Sequence, residues 1–242
     1  MRREHLNSKT GRYVIAFWLV ICLFAVAGDS VAASRIGHTP HFGQQQLPEA
    51  QVLIDVGHGG IDGGTSYKDI LEKDINLAVA KQLYLQLNSQ GILTAMNRTG
   101  DYALSDDNRW HGVRSRHLRD LSQRLQLSRE IHLQVMVSLH VNWARGSNKL
   151  GPLVLHQEDG GSALLASLIQ EALNDQQHTN RLPQLGKPFY LLRQVKIPAV
   201  IIEMGFISNS HDRAMLTSTK GQAEVATAIA AGLRKYLLLI GG

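Results

Sequence analysis

The stretch "QVLIDVGHGGIDGG", residues 51–64, decides the fold. After Gln51 its next five residues form a short apolar run broken only by Asp55, the pattern of a strand covered on both faces in a parallel sheet. Five glycines then surround a single imidazole, His58, with Asp62 close behind. Two readings are open for such a segment. The glycines form a turn that happens to hold a histidine, or they leave room for something small and polar to approach it.

Working outward, the next segments alternate in type. Residues 73–91 place Ile75, Val79, Leu83 and Leu87 on one helical face and stop at Gly91. "ILTAM" (92–96) reads as a second strand, and residues 117–132 repeat Leu118, Leu121, Leu125 and Ile131 at helical spacing. "QVMVSLH" (134–140) and "GPLVLHQ" (151–157) are further strands, and 162–175 is helical. "FYLL" (189–192) reads as a short strand, "AVIIEMGF" (199–206) as a buried one, and 221–238 as a closing helix. The alternation predicts an α/β domain: a twisted, largely parallel sheet covered by helices on both faces. In such sheets ligands bind beyond the carboxyl ends of the strands, which gives weight to residues just after each strand.

The N-terminus has a different character. "MRREHLNSKTGR" (1–12) carries four Lys and Arg against one acid, and "YVIAFWLVICLFAVAG" (13–28) follows without a charge. As a helix this run spans ~24 Å, somewhat less than the ~30 Å hydrocarbon core of a bilayer. Together with small-residue sites at Ala25-Val26-Ala27 or Val31-Ala32-Ala33, residues 1–33 read as a signal peptide or membrane anchor. Residues 34–50 read as a polar linker and 51–242 as the functional domain. The expected location is outside the cytoplasm, with membrane contact confined to the N-terminal segment. Cys22 is the only cysteine, so an intramolecular disulfide and cysteine-rich metal motifs are excluded, and bulky Ile21 argues against lipidation there. The formal charge of +5 fits anionic surroundings such as lipid or cell-wall polymer. Nucleic acid is not expected as a partner: the basic stretch from Arg109 to Arg124 has no aromatic stacking platform beside it and reads as a solvated helix face or docking surface.

Two of the eleven histidines, His58 and His140, fall at or just past the end of an apolar strand. In a parallel sheet those positions converge on one rim. Catalytic zinc sites take three N, O or S protein ligands and keep a place for water, and two histidines with a carboxylate are a frequent set. Glu72, after the glycine loop, and Glu203, inside an apolar strand, are the isolated carboxylates that could complete such a set. A buried Glu203 requires a cation or hydrogen bonds, and an arginine salt bridge would serve as well as a metal. Spacing alone leaves open which carboxylate would bind the metal. Asp55 and Asp62 are candidates for orienting a ligand, although Asp62 before two glycines could equally shape a turn.

The segments "IDVGHGG" (54–60), "LEKD" (71–74), "SLHVN" (138–142) and "IIEMGFISN" (201–209), in this order, closely resemble the zinc-dependent N-acetylmuramoyl-L-alanine amidases of the amidase-3 family. The resemblance runs from about Gln51 to the C-terminal helix. It implies one Zn²⁺ per chain held by His58, Glu72 and His140, with Glu203 as the catalytic glutamate. The substrate it implies is peptidoglycan, cut between the lactyl group of muramic acid and L-alanine. Asn142 and Arg98 are the substrate-binding candidates, Arg98 for a stem-peptide carboxylate. Behind an export segment, a catalytic domain containing "RHLRDLSQR" (116–124) is most similar to sporulation- and germination-type members. That implies spore-cortex peptidoglycan and the space around the forespore; an activating protein partner is left open. The chain departs from the family pattern twice, with Val56 where proline is usual and Asn97 where threonine is common. Two other readings keep the zinc: a non-catalytic wall-binding protein, and a peptidase cutting within the stem.

Overall fold

The computed structural model describes residues 49–106 and 114–241. Residues 1–33, read above as a signal peptide or membrane anchor, nearly all of the stretch read as a linker, and Arg109 lie outside the described residues. In chain order the elements are β1 (Val52–Val56), β2 (Ser66–Tyr67), β3 (Ile70–Leu71), α1 (Glu72–Ser89), β4 (Thr94–Met96), α2 (Arg116–Glu130) and β5 (Val135–Asn142). There follow β6 (Leu153–His156), α3 (Gly160–Gln177), β7 (Gln184–Leu185), α4 (Tyr190–Gln194), β8 (Ala199–Phe206), α5 (Ser210–Leu216) and α6 (Thr219–Ile240).

The main sheet has the order β4-β1-β5-β8-β6-β7. β4, β1, β5 and β8 run parallel, so their carboxyl ends share one edge. β6 pairs antiparallel with β8, a direction that an apolar run cannot reveal. The register sets Asp55 beside Ser138 and His140 beside Glu203.

Alternation along the strands gives the sheet two unlike faces. Val52, Ile54 and Val56, with Val135, Val137 and Leu139, and Val200 and Ile202, pack under the apolar stripes of α1, α3 and α6. Leu83, Ile169 and Leu233 are among the fully buried residues of that layer. Each such side chain removed from water contributes roughly 1.5–3 kcal/mol before the entropy of ordering it is counted. The opposite face carries Leu53, Met136, Ala199 and Ile201 under α2 and α4. By the same alternation its later positions are Asp55, Ser138, His140 and Glu203, so this face turns from apolar to polar toward the carboxyl edge.

Three local expectations change. "FYLL" is not a strand: Phe189 is the extended residue before the short helix α4. Four apolar residues carry too few periods to separate the two conformations. In α2 the inward stripe is Leu121, Arg124, Leu125 and Ser128, while Leu118 is exposed. Helix α5 is an addition; its start is capped by Asn209, whose side chain accepts from the His211 and Asp212 amides.

Candidate metal centre

The site grows out of the carboxyl ends of β1, β5 and β8. β1 delivers the chain into a tight turn in which Gly59 and Asp62 exchange two backbone hydrogen bonds, 2.9 and 3.1 Å. His58 enters this turn with φ +59°, a left-handed conformation uncommon for a side-chain-bearing residue. Two contacts hold it there. Arg124 Nη2 donates to the His58 carbonyl at 3.1 Å, and Asp62 Oδ2 lies 2.8 Å from His58 Nδ1. With Nδ1–H given to Asp62, the Nε2 lone pair is directed elsewhere.

Nε2 faces Glu72. Glu72 Oε1 lies 3.2 Å from His58 Nε2 and 2.9 Å from His140 Nδ1. Glu72 is the first residue of α1, where the helix end favours a negative charge. It is 2% exposed, and its carboxylate accepts from the Thr65 amide at 2.7 Å and the Val141 amide at 2.9 Å. The two imidazole rings stand edge to face, their centroids 5.0 Å apart.

These separations test the fit of an ion. Zinc with its ligands at 2.0–2.1 Å in a tetrahedron holds them roughly 3.3 Å from one another. His58, Glu72 and His140 present donor atoms that all lie within 4.8 Å of each other, and the two shortest gaps lie close to that spacing. The donor set, two imidazoles and a carboxylate, is one that zinc takes. The charge balance agrees: burial works against a proton on His58, yet Asp62 and Glu72 outweigh it and raise its pKa to about 9. Asp62, hydrogen-bonded to His58, is held down at about 2. Burial opposes the charge on Glu72 as well, and the two histidines bring its pKa well below the usual carboxylate range. The negative potential that would hold a proton on His58 is equally available to a cation.

The glycines beside His58 are therefore a clearing. A Cβ on Gly57 would stand 2.5 Å from His140 Cε1, and one on Gly64 would stand 2.5 Å from Glu72 Oε2. Gly64 also has φ +67°. Neither position can carry a side chain without displacing a member of the donor set.

Glu203 lies next to His140 across the β5–β8 ladder. Its Oε2 is buried without a hydrogen-bond partner, and burial pushes its carboxyl pKa up. No arginine pairs with it among the described residues. His58, Glu72, His140 and Glu203 all line one groove of about 820 Å³, walled also by Leu121, Trp143 and Phe189. Asn142 lines the same groove, with its Oδ1 accepting from the Trp143 amide at 2.7 Å.

Arg98 is a correction. It is 1% exposed, and its guanidinium donates to the carbonyls of Val56, Gly57, Lys73 and Gly100. It fastens the glycine loop from behind, with four of its five N–H donors on backbone carbonyls, and it does not line the groove. Asp55 is likewise internal. It takes Arg124 Nη1 at 2.6 Å and Asn97 Nδ2 at 2.5 Å, and the Ser138 hydroxyl donates to it.

Arg124 is what the sequence reading missed. It is 3% exposed, so it does not belong to a solvated face. Its position between Leu121 and Leu125 on the helix period was the available signal. It spans Asp55, Asp120 and the carbonyls of Val56 and His58, and so ties α2 to the loop that carries His58.

The two departures from the family pattern prove to be one feature. The Val56 amide donates to Asn97 Oδ1 at 2.8 Å. Proline has no amide hydrogen, so the residue at 56 and the asparagine that accepts from it belong together.

An α/β sheet with two histidines and a glutamate gathered at its carboxyl edge, and a second glutamate beside them, defines a class of metal-assisted hydrolase. Residues 52–235 match the family model Amidase_3, N-acetylmuramoyl-L-alanine amidase, and the chain belongs to that family. The germination-specific N-acetylmuramoyl-L-alanine amidase of Bacillus subtilis is 31% identical over 187 residues, 76% of this chain and 78% of that protein. The probable cell wall amidase LytH of Staphylococcus aureus is 30% identical over 189 residues, 76% of this chain and 57% of that protein. Among solved structures, the CwlD amidase of Clostridioides difficile, determined in complex with the GerS lipoprotein, has a TM-score of 0.73 and 32% identity. That match covers 78% of this chain and 99% of CwlD. The protein is an N-acetylmuramoyl-L-alanine amidase, acting on peptidoglycan.

Proposed function

We propose that the protein is a zinc amidase that removes stem peptides from spore-cortex peptidoglycan, with His58, Glu72 and His140 holding the metal and Glu203 moving the proton. The observation that carries this reading is Glu203 Oε2, a buried carboxylate oxygen without a partner beside a complete ligand set. Bound zinc supplies Lewis acidity toward the scissile carbonyl and toward water. Asp62 keeps His58 in the tautomer that presents Nε2. Glu203 takes the proton of the attacking water and returns it to the departing alanine nitrogen as the amide C–N bond breaks. Its raised pKa makes it a stronger base toward the attacking water, and the departing amine, more basic than a carboxylate, still takes the proton from it. Asn142, with its Oδ1 occupied, offers its amide hydrogens to the substrate carbonyl. Similarity to the germination-specific amidase and to CwlD supports the cortex as substrate, whereas similarity to LytH supports only the cell wall. Residues 1–33 are read as the export signal or anchor that places the enzyme outside the cytoplasm.

The test is digestion of cortex and vegetative sacculi by the zinc-loaded protein, with products identified by mass. Intact stems with free L-alanine amino termini are expected, and faster from cortex. Fragments cut inside the stem would make it a peptidase; equal rates on both sacculi would remove the cortex assignment alone. Glu203→Gln should retain about one zinc while turnover falls ~10²–10⁴-fold. Full activity in that variant would overturn the proton role.

A further inference from the structure

Beside the groove lies a second cavity of about 280 Å³, which shares Asp62 and His117 with it. Arg116 and Asp120 also line this second cavity. Its two acids are already engaged. Asp62 faces His58 at 2.8 Å and also accepts from the Gly64 amide, and Asp120 takes Arg124 Nε at 2.5 Å. Its two cationic or donor side chains, Arg116 and His117, are exposed and make no hydrogen bond or ion pair among the described residues. The first turn of α2 holds no acid, the reverse of what a helix start favours, so these residues oppose local helix stability. His117 feels the charge of Asp62, and Arg116 has no hydrogen bond or ion pair among the described residues to offset that.

Distance connects the cavity to the chemistry. A stem peptide leaving the scissile bond advances at most ~3.6 Å per residue, which brings its second residue ~7 Å from the metal-facing carbonyl. Asp62 forms the shared wall, one hydrogen bond away from the His58 ring. The second stem residue of peptidoglycan is a glutamate joined through its side-chain carboxyl, so its α-carboxylate is free unless it is amidated. Elsewhere in the groove, Trp143 (52% exposed) and Phe189 (38% exposed) offer apolar surface, and no Arg or Lys lines it.

We infer that the cavity between Asp62 and Arg116 is the stem-peptide subsite, in which the Arg116 guanidinium and His117 imidazole receive the free α-carboxylate of the second stem residue. This rests on the amidase reading and sets the stem peptide toward the first turn of α2. The cation that the sequence placed at Arg98 is supplied by α2 instead.

The experiment measures kcat/KM of the full zinc-loaded enzyme on two muropeptides that differ only in an α-carboxylate or an α-carboxamide at that glutamate. The wild type should prefer the carboxylate. Arg116→Ala should lose about fivefold on the carboxylate substrate, mostly in KM, and nothing on the carboxamide, the size expected of a solvent-exposed charge contact. His117→Gln, which keeps a donor, should lose less, and Arg116→Lys should retain part of the preference. Equal losses on both substrates, or no loss on either, would overturn the subsite while leaving the amidase intact. A wild type that cleaves neither muropeptide would overturn the amidase reading, and the subsite with it.

Discussion

The two faces of the central sheet are made from the same three strands and do opposite things. Toward α1, α3 and α6 every position is apolar from end to end, as in Val52, Ile54 and Val56 of β1. Toward α2 and α4 each strand begins apolar and ends polar: Leu53 then Asp55, Met136 then Ser138 and His140, Ile201 then Glu203. The first face stabilises the fold in proportion to the area it removes from water. The second gives up burial at its carboxyl edge, and its polar groups are held by specific partners: Arg124, Asn97 and Ser138 on Asp55, and the Thr65 and Val141 amides on Glu72. Non-directional packing and directional chemistry are separated by the thickness of one sheet.

If that division is correct, substitutions on the two faces should fail differently. Arg124→Ala leaves Asp55 buried without its counter-charge, and loss of one member of a buried pair costs about 3–5 kcal/mol. It also frees the His58 carbonyl, so zinc affinity should fall together with stability, read by denaturant melts and competition with a chromophoric chelator. Unchanged metal affinity would mean that α2 supports the fold only. Leu83→Ala, on the other face, should cost about 3 kcal/mol by leaving a cavity, with zinc affinity and kcat unaltered below the melting transition. A weakened metal site in that variant would break the comparison. The smallest change is expected for Val56→Pro, which removes the amide that Asn97 Oδ1 accepts, about 2 kcal/mol. Adding Asn97→Thr should recover part of it, a coupling that a double-mutant cycle resolves and that two independent sites would not show.

Much of this was readable from the chain because the informative residues are local anomalies. His58 among glycines, and Glu203 in an apolar strand, break their surroundings in a way that needs no partner to notice. The strands of the parallel core announced themselves by continuous apolar runs. What escaped depends on contacts far apart in sequence. Arg124 meets Asp55 across 69 positions, and nothing near either one reports the pairing. Arg98 read as a cation for a substrate carboxylate because its actual partners are backbone carbonyls, which have no sequence signature. The direction of β6 and the helical state of Tyr190–Gln194 depend on packing that short apolar segments do not encode.

Glu72 carries one more consequence. Its carboxylate is clasped by two backbone amides, from Thr65 and Val141, which belong to segments the fold itself positions. The docking place for the ion is thus finished by the polypeptide, in contrast to small zinc modules that are chaotic until metal arrives. On the proposed reading, zinc would enter a site whose carboxylate is already held in place. It would then stabilise by mass action, in step with its free concentration.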